Sequence, residues 1–256
     1  MIWLDNTDKK GDKTGIHKFM NTRYSRNRLY LTETEQQLIK HFPILLGGAG
    51  IGSIIAECLL RFGFEKLTIV DGDTVEVSNL NRQNYTEKDV SNAKVLALKE
   101  RLLAINPEAD ITAENIFITN DNANRLIEGH KLAINALDFT SDIPLVFDRI
   151  CQQNRALVIV IDKLGLDSLK EPNQNFNEVE VVRYVCQSLR VAQKPQQWLE
   201  KIIDDYLNEN KQLSPPQLSV ASWIAAGVCT QIAFNVAIGR PVKKFPEFYF
   251  SSISET

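Results

Sequence analysis

The sequence predicts an α/β fold with a doubly wound, mostly parallel sheet. An apolar run at 44–46 leads into a glycine-rich turn, and the helical apolar pattern that follows ends at Gly63. A second apolar run at 67–70 ends in Asp71, about 20 positions beyond the glycines. This order of strand, glycine turn, helix, strand and acidic residue is typical of a mononucleotide-binding βαβ unit in a Rossmann-like sheet.

The glycine turn at 47–53 indicates a nucleotide site. Glycines let the backbone turn tightly and approach a phosphate, and the unpaired N–H groups at the start of the next helix attract an anion. The candidate contacts are Gly48, Gly50 and Gly52. Asp71 is placed to accept from ribose hydroxyls. The strict G-x-G-x-x-G spacing fails because Ser53 stands at the third position, so a tight turn without a nucleotide remains the alternative.

The other elements follow from capping signals and apolar spacing. Residues 1–20 are polar and mixed, which predicts an N-terminal arm. The run TETE at 32–35 is typical of a capping box that opens a helix. The pattern then predicts a helix at 93–105, a strand at 111–117, a helix at 120–129, a strand at 131–136, a helix at 145–154 and a strand at 157–161. This alternation completes the doubly wound pattern.

We expect a single domain over residues 21–256, with a C-terminal extension from about residue 163. Within the extension, the pattern predicts a strand at 179–185 and a helix opened by Pro195 at a favourable first-turn position. The uncharged stretch at 219–238 is long enough to span a membrane. Polar side chains interrupt it, and a helix buried in a soluble core has the same pattern, which is the interpretation we favour.

Composition and charge limit the function classes. The chain has 256 residues, of which 44% are hydrophobic and 24% charged, and a net charge of −3. These values are ordinary for a soluble globular protein and argue against nucleic-acid or membrane-surface partners. The four cysteines are scattered without a C-x-x-C pair, so we expect no zinc site. The N-terminus lacks the apolar core of a signal peptide, which predicts a cytoplasmic location.

Four further motifs are more specific than the glycine turn. They are IVDGDTVEVSNLNRQ at 69–83, SNAK at 91–94, INP at 105–107 and NALD at 135–138. Together with GGAGIGS they resemble the ThiF/MoeB/HesA family, the adenylating domains related to ubiquitin-activating enzymes. The resemblance extends from about Arg23 to Gly239. It implies a usually dimeric enzyme that activates a carboxylate with ATP and Mg²⁺, giving an acyl-adenylate and pyrophosphate.

The resemblance also implies roles for individual residues. Gly50 matches a nucleotide-contacting glycine, and Asp138 matches the aspartate that organises magnesium. Arg26 resembles the family's arginine finger, which reaches the ATP of the partner subunit and makes a homodimer part of the catalytic site. The residues expected at the ribose and phosphates are Asp71, Asp73, Ser78, Asn79, Asn81, Arg82 and Lys94. Arg26, Arg82, Lys94 and Asp138 are the expected catalytic residues.

Each role has a structural alternative. Asp71 has the alternative of capping a turn with Gly72, and Asp138 has the alternative of capping the next helix. Arg26 and Arg82 have the alternative of being solvated loop charges. Lys94 has the alternative of an exposed position in the first turn of a helix.

Some positions depart from the family pattern. Ala49 stands where the family usually has glycine, and Phe139 where it usually has a polar residue. Cys186 lies roughly where a thioester or persulfide cysteine falls, but its neighbours predict a half-buried strand and a structural cysteine. Without a nucleophilic thiol, the enzyme would stop at adenylation and transfer directly to an acceptor.

Three hypotheses remain open at this point. The favoured one is an adenylyltransferase for a carboxylate, such as the C-terminus of a ubiquitin-like protein, a small carrier protein or a peptide. The second is a non-catalytic partner subunit, since Ala49 and Phe139 fit a decayed site. The third is a nicotinamide-dependent oxidoreductase, which suits Asp71 but leaves Lys94 and Asp138 unexplained.

Overall fold

The computed structural model of the protein describes residues 23–138, 141–160 and 217–243, with isolated positions between 186 and 208 and residue 249. The predicted N-terminal arm, the strand at 179–185 and most of the helix opened by Pro195 lie outside the described residues, as does Phe139.

The described sheet has five parallel strands in the order β3-β2-β1-β4-β5. Their bounds are β1 Ile44–Gly47, β2 Lys66–Val70, β3 Asp110–Glu114, β4 Leu132–Asn135 and β5 Leu157–Val160. Gly47 is level with Val70 on one side and with Asn135 on the other. The carboxyl ends of the three central strands therefore meet at one edge, beside the point where the strand order reverses. That is where open α/β sheets bind their ligands.

Six helices are described around this sheet. Their bounds are α1 Glu33–Lys40, α2 Gly52–Phe62, α3 Lys94–Ile105, α4 Asn120–Ile127, α5 Ile143–Gln153 and α6 Ser219–Ala237. The predicted capping box is present at α1, where Thr32 and Glu35 bond reciprocally. Every predicted strand and helix within the described ranges is present, with ends that shift by a few residues.

The largest shift is at β3, which ends at Glu114 and not at the predicted residue 117. Its only neighbour within the described sheet is β2, and β2 ends at Val70, opposite Glu114. Beyond Glu114 there is no strand to bond with, so the chain leaves the sheet and crosses to α4. Phe117 is consequently exposed.

Two apolar cores cover the two faces of the sheet. In β1, Ile44 and Leu46 point to a core shared with α2, α3 and α6, while Leu45 points to a core shared with α4 and α5. This alternation is the period of a strand buried on both faces. Because β1 is the central strand and is buried on both faces, the glycine turn that follows it is held in a defined position.

The uncharged stretch forms α6, and only one of its faces is buried. Ala226, Ala233 and Phe234 pack against α2, with Phe234 edge-on to Phe62 at a centroid distance of 5.3 Å. Near the start of the helix, Val220 and Trp223 are 52% and 51% exposed. By length and composition alone α6 also passes as a membrane span. The prediction of a buried helix therefore holds for one face.

Candidate active site

The glycine turn brings the backbone of β1 against the chain that follows β4. Gly48 has a φ of 92°, and a Cβ built on it would lie 2.3 Å from the carbonyl oxygen of Ala136. Only glycine fits both conditions. Ala49, which departs from the family pattern, is not among the residues with positive φ. Its methyl group is therefore compatible with the turn.

The first turn of α2 is open to an anion. Among the described residues, no side chain caps this helix at Ile51. A Cβ on Gly50 would lie 3.4 Å from Nε2 of Gln83, and one on Gly52 would lie 3.1 Å from Leu46. Small residues thus keep the turn close to its neighbours. The N–H groups and positive end of the helix point towards the carboxyl edge of the sheet.

Ser53, at the position of the missing third glycine, ties this turn to the loop after β2. Its Oγ donates to the carbonyl of Gly50 at 2.7 Å and accepts from the backbone N–H of Asn84 at 2.9 Å. The Asn84 side chain donates in turn to the carboxylate of Glu57. Glu57 is buried, and its carboxylate also accepts a hydrogen bond from Nε of Arg101. Burial alone would raise the pKa of Glu57, but the donors around it lower the pKa below its usual value. Glu57 therefore stays charged and holds the two segments together.

Asp71 orders the backbone at the end of β2. Its Oδ2 accepts from the N–H of Ala49 at 2.6 Å, and its Oδ1 accepts from the N–H of Asp73 at 2.8 Å. The turn-capping alternative is therefore present in the structure. Each carboxylate oxygen has a second lone pair, and Asp71 is only half-buried, so it can still accept from a ribose.

Lys94 is held inside the site. It is 7% exposed, and its Nζ lies 3.1 Å from Oδ2 of Asp73. Its backbone N–H donates to the carbonyl of Asp73, while the hydroxyl of Tyr85 spans the carbonyls of Ala49 and Lys94. Burial raises the pKa of Tyr85, which keeps that hydroxyl a neutral donor. The alternative of an exposed first-turn lysine is wrong.

The segment after Asp73 presents Arg82. Its Nη1 donates to the carbonyl of Ser78 at 2.7 Å and to Oδ1 of Asn81 at 2.9 Å. Asn79 is buried, and its Oδ1 accepts from the N–H of Glu76. Asn79 thus supports the turn that carries Arg82, whereas Ser78 is exposed.

Asp138 follows β4 at the same edge. Asp138 is exposed, but the protein around it partly desolvates the carboxylate, and this is the main cause of its raised pKa. The charges of Lys94 and Arg82 act to lower this pKa, and those of Asp71 and Asp73 act to raise it. The charged side chains that follow β2 therefore lie close enough to Asp138, which follows β4, to change its pKa.

A family assignment follows from comparison with known proteins. The sequence profile of the ThiF family matches residues 24–238. The chain belongs to the ThiF family. The predicted resemblance is confirmed.

Two curated relatives match this ThiF chain in part. It is 33% identical to the sulfur carrier protein adenylyltransferase of Thermus thermophilus over an alignment of 107 residues. This alignment covers 41% of this chain and 40% of that protein. It is 37% identical over 113 residues to the tRNA threonylcarbamoyladenosine dehydratase of Escherichia coli, covering 43% of this chain and 42% of that protein. The chain therefore spans about two fifths of the length of these relatives.

A solved structure supports the fold. The Escherichia coli dehydratase TcdA, crystallised with ATP, superposes with a TM-score of 0.61 and 21% identity over 85% of this chain and 94% of that chain. The predicted Rossmann-like architecture is confirmed.

Arg26 is the predicted site residue that the ThiF chain does not bring to its own site. It lies in the turn Ser25–Asn27, and Asn27 donates to the carbonyl of Phe62 at the far end of α2. The glycine turn is at the other end of this 11-residue helix, about 16 Å away. Arg26 is exposed and has no hydrogen-bond or ion-pair partner in the described part of the chain.

Two features of the site were not predicted from the sequence. Gln217 bonds to Arg82 from 135 residues away, a separation that no local pattern reveals. Glu57 carries a weak signal, since Arg61 follows it at the helical spacing of four and bonds to it at 2.7 Å.

The described cysteines do not change the chemistry expected. Burial raises the pKa of Cys151 to about 12 and also raises that of Cys58. Cys186 is buried.

Proposed function

We propose that this chain is an ATP- and Mg²⁺-dependent adenylyltransferase that converts a carboxylate into an acyl-adenylate and releases pyrophosphate. The observation that carries the proposal is the convergence of an open helix start with the side chains of Asp71, Lys94, Arg82 and Asp138. A nicotinamide enzyme needs the glycine turn and Asp71, but it has no use for the other three.

In this reaction a carboxylate oxygen bonds to the α-phosphorus, and the bond to the bridging oxygen of the pyrophosphate breaks. Negative charge spreads over the phosphate oxygens, so fixed cations and N–H dipoles lower the barrier. The helix start of α2 receives the phosphates, Arg82 and Lys94 face the developing charge, and Asp71 accepts from the ribose.

Magnesium would supply further charge neutralisation at the phosphates. The described residues contain no group of three or more metal-ligating side chains. This fits Mg²⁺, which usually binds through one or two carboxylates together with substrate phosphates. Asp138, partly solvated and without a hydrogen-bond partner in the described ranges, is the carboxylate suited to that role.

For the substrate, we propose the carboxylate of a ubiquitin-like protein, a small carrier protein or a peptide. One named relative adenylylates a sulfur carrier protein, which supports this class. Another is a tRNA dehydratase. The expectation that this chain binds no nucleic acid rests on its net charge of −3 and stays a prediction, as does its cytoplasmic location.

The hypothesis of a non-catalytic subunit loses one of its two supports. Ala49 takes a backbone conformation suited to alanine and donates to Asp71, so it is no sign of decay. The other support, Phe139, lies outside the described residues.

Thermal unfolding tests the nucleotide class. ATP with Mg²⁺ at 100 times its dissociation constant should stabilise the protein by about 2.7 kcal/mol, whereas NAD and NADP should not. Arg82→Ala should remove most of this gain, because Arg82 faces the phosphates. Arg149→Ala, at an exposed position of α5, is the matched control and should keep the gain. A shift with NAD, or no shift with any nucleotide, would contradict the proposal.

We also propose a homodimer in which Arg26 serves the partner's site, because its own site is a helix length away. If so, mixing Arg26→Ala with Asp138→Ala protein should restore part of the activity, since one site in each mixed dimer keeps both residues. The measurement is pyrophosphate exchange after subunit exchange has been demonstrated. If the subunits exchange but no activity is restored, the hypothesis that Arg26 acts at the partner's site is contradicted.

A further inference from the structure

Two of the three guanidinium nitrogens of Arg82 donate hydrogen bonds to described residues. Its Nε donates to Oε1 of Gln217 at 2.7 Å, and its Nη1 donates to Ser78 and Asn81. Among the described residues, nothing accepts from Nη2. An arginine has five N–H donors in a rigid plane, so fixing Nε and Nη1 fixes the direction of the two Nη2 hydrogens as well.

Gln217 is exposed, but its backbone is also bonded to the segment that carries Arg82. It precedes α6, and its backbone carbonyl also accepts from the side chain of Asn81 at 3.4 Å. The buried face of α6 packs on α2, whose first turn is the phosphate-binding end. The position of Arg82 relative to the glycine turn is therefore set in part by the C-terminal part of the chain.

We propose that Gln217 is a positioning residue that orients Arg82 so that its Nη2 donors face the nucleotide phosphates. This inference rests on the proposed function, in which Arg82 binds those phosphates. The C-terminal part of the chain then contributes to the nucleotide site through Gln217, which lies just before the N-cap residue of α6.

The chemistry of an amide suits this task. A neutral carbonyl oxygen fixes the guanidinium by a hydrogen bond without neutralising its charge. A carboxylate at the same position would hold Arg82 more tightly but would cancel the positive charge that the phosphates need. Gln217→Glu should therefore weaken ATP binding at least as much as Gln217→Leu, which removes the acceptor.

The test is a double-mutant cycle on ATP binding with Mg²⁺, measured by calorimetry on the full chain. Gln217→Leu should weaken ATP binding about tenfold, the scale of a hydrogen bond to a charged group. In an Arg82→Ala background the same substitution should have no further effect, because Gln217 acts only through Arg82. A merely structural glutamine would cost the same in both backgrounds.

Gln231→Leu is the matched control. Gln231 lies within α6, where its side chain bonds to Asn235 of the same helix. This variant should bind ATP as wild type does.

The failures of the two proposals are distinguishable. If wild-type protein does not bind ATP, the proposed function fails and this inference falls with it. If wild type binds ATP and Arg82→Ala weakens binding, but Gln217→Leu binds normally or costs the same in both backgrounds, only the role of Gln217 is overturned.

Discussion

Asp138→Asn is expected to reduce adenylate formation by about a thousandfold while leaving the folded protein at least as stable as wild type. The loss follows because an amide does not replace the carboxylate that Mg²⁺ needs. The stability follows from the raised pKa of Asp138: although the residue is exposed, partial desolvation by the surrounding protein disfavours its charged form in the folded state. Asparagine keeps the shape of the side chain and removes the charge.

The sign of the stability effect can be worked out from linkage. The folded protein binds the Asp138 proton more tightly than the unfolded chain, whose pKa is close to the ordinary 3.8. Wild-type stability should therefore fall as the pH rises from 3.8 through the raised folded pKa, and this loss persists at neutral pH. Asp138→Asn should lack this loss, so its melting temperature at pH 7 should equal or exceed that of wild type.

The measurements are pyrophosphate exchange and thermal unfolding with ATP, with and without Mg²⁺. The stabilisation that Mg²⁺ adds to ATP should be present in wild type and absent in Asp138→Asn. Asp142→Asn, an exposed aspartate whose side chain does not cap α5, is the matched control. Unchanged exchange would remove Asp138 from the mechanism, and a large drop in melting temperature would show that its carboxylate stabilises the fold.

The sequence predicted the sheet because its strands are buried on both faces or bounded by strong signals. The apolar run of β1, the glycine turn and the stop at Gly63 are local features, and the structure reproduces them. The end of β3 was not predictable in the same way. It depends on where β2 stops, and apolar residues continue past Glu114 although no strand remains to pair with them.

The site was predictable where a motif fixes a residue type, but the distribution of its hydrogen bonds was not. Lys94 was assigned from SNAK, yet its burial and its ion pair with Asp73 come from the pairing of Thr74 with Ala93. Asp71 was expected to bind a ribose, but both of its carboxylate oxygens also accept hydrogen bonds from backbone N–H groups. Such sharing depends on three-dimensional approach, which spacing along the chain does not encode.

Gly48→Ala is expected to destabilise the protein by about 3–5 kcal/mol. Two costs add at this position. Alanine is strained at a φ of 92°, and its Cβ would lie 2.3 Å from the backbone carbonyl of Ala136, which cannot rotate away as a side chain would. Chemical denaturation measures the change.

A matched glycine separates the two costs. Gly129 also has a positive φ, of 80°, but a Cβ there would meet nothing within 4 Å. Gly129→Ala should therefore cost only the backbone strain, about 1–2 kcal/mol, and should leave ATP binding unchanged. Equal costs at the two positions would show that the contact with Ala136 relaxes easily.

The consequence of Gly48→Ala for ATP follows from what lies beyond Ala136. Two residues further on is Asp138, so a methyl group that pushes Ala136 outwards also moves the proposed magnesium carboxylate away from the start of α2. Where the variant remains folded, it should lose ATP and Mg²⁺ binding together, whereas Asp138→Asn should lose only the contribution of Mg²⁺. Finding ATP binding intact in folded Gly48→Ala would mean that the close approach of the two strand ends serves the fold and not the nucleotide.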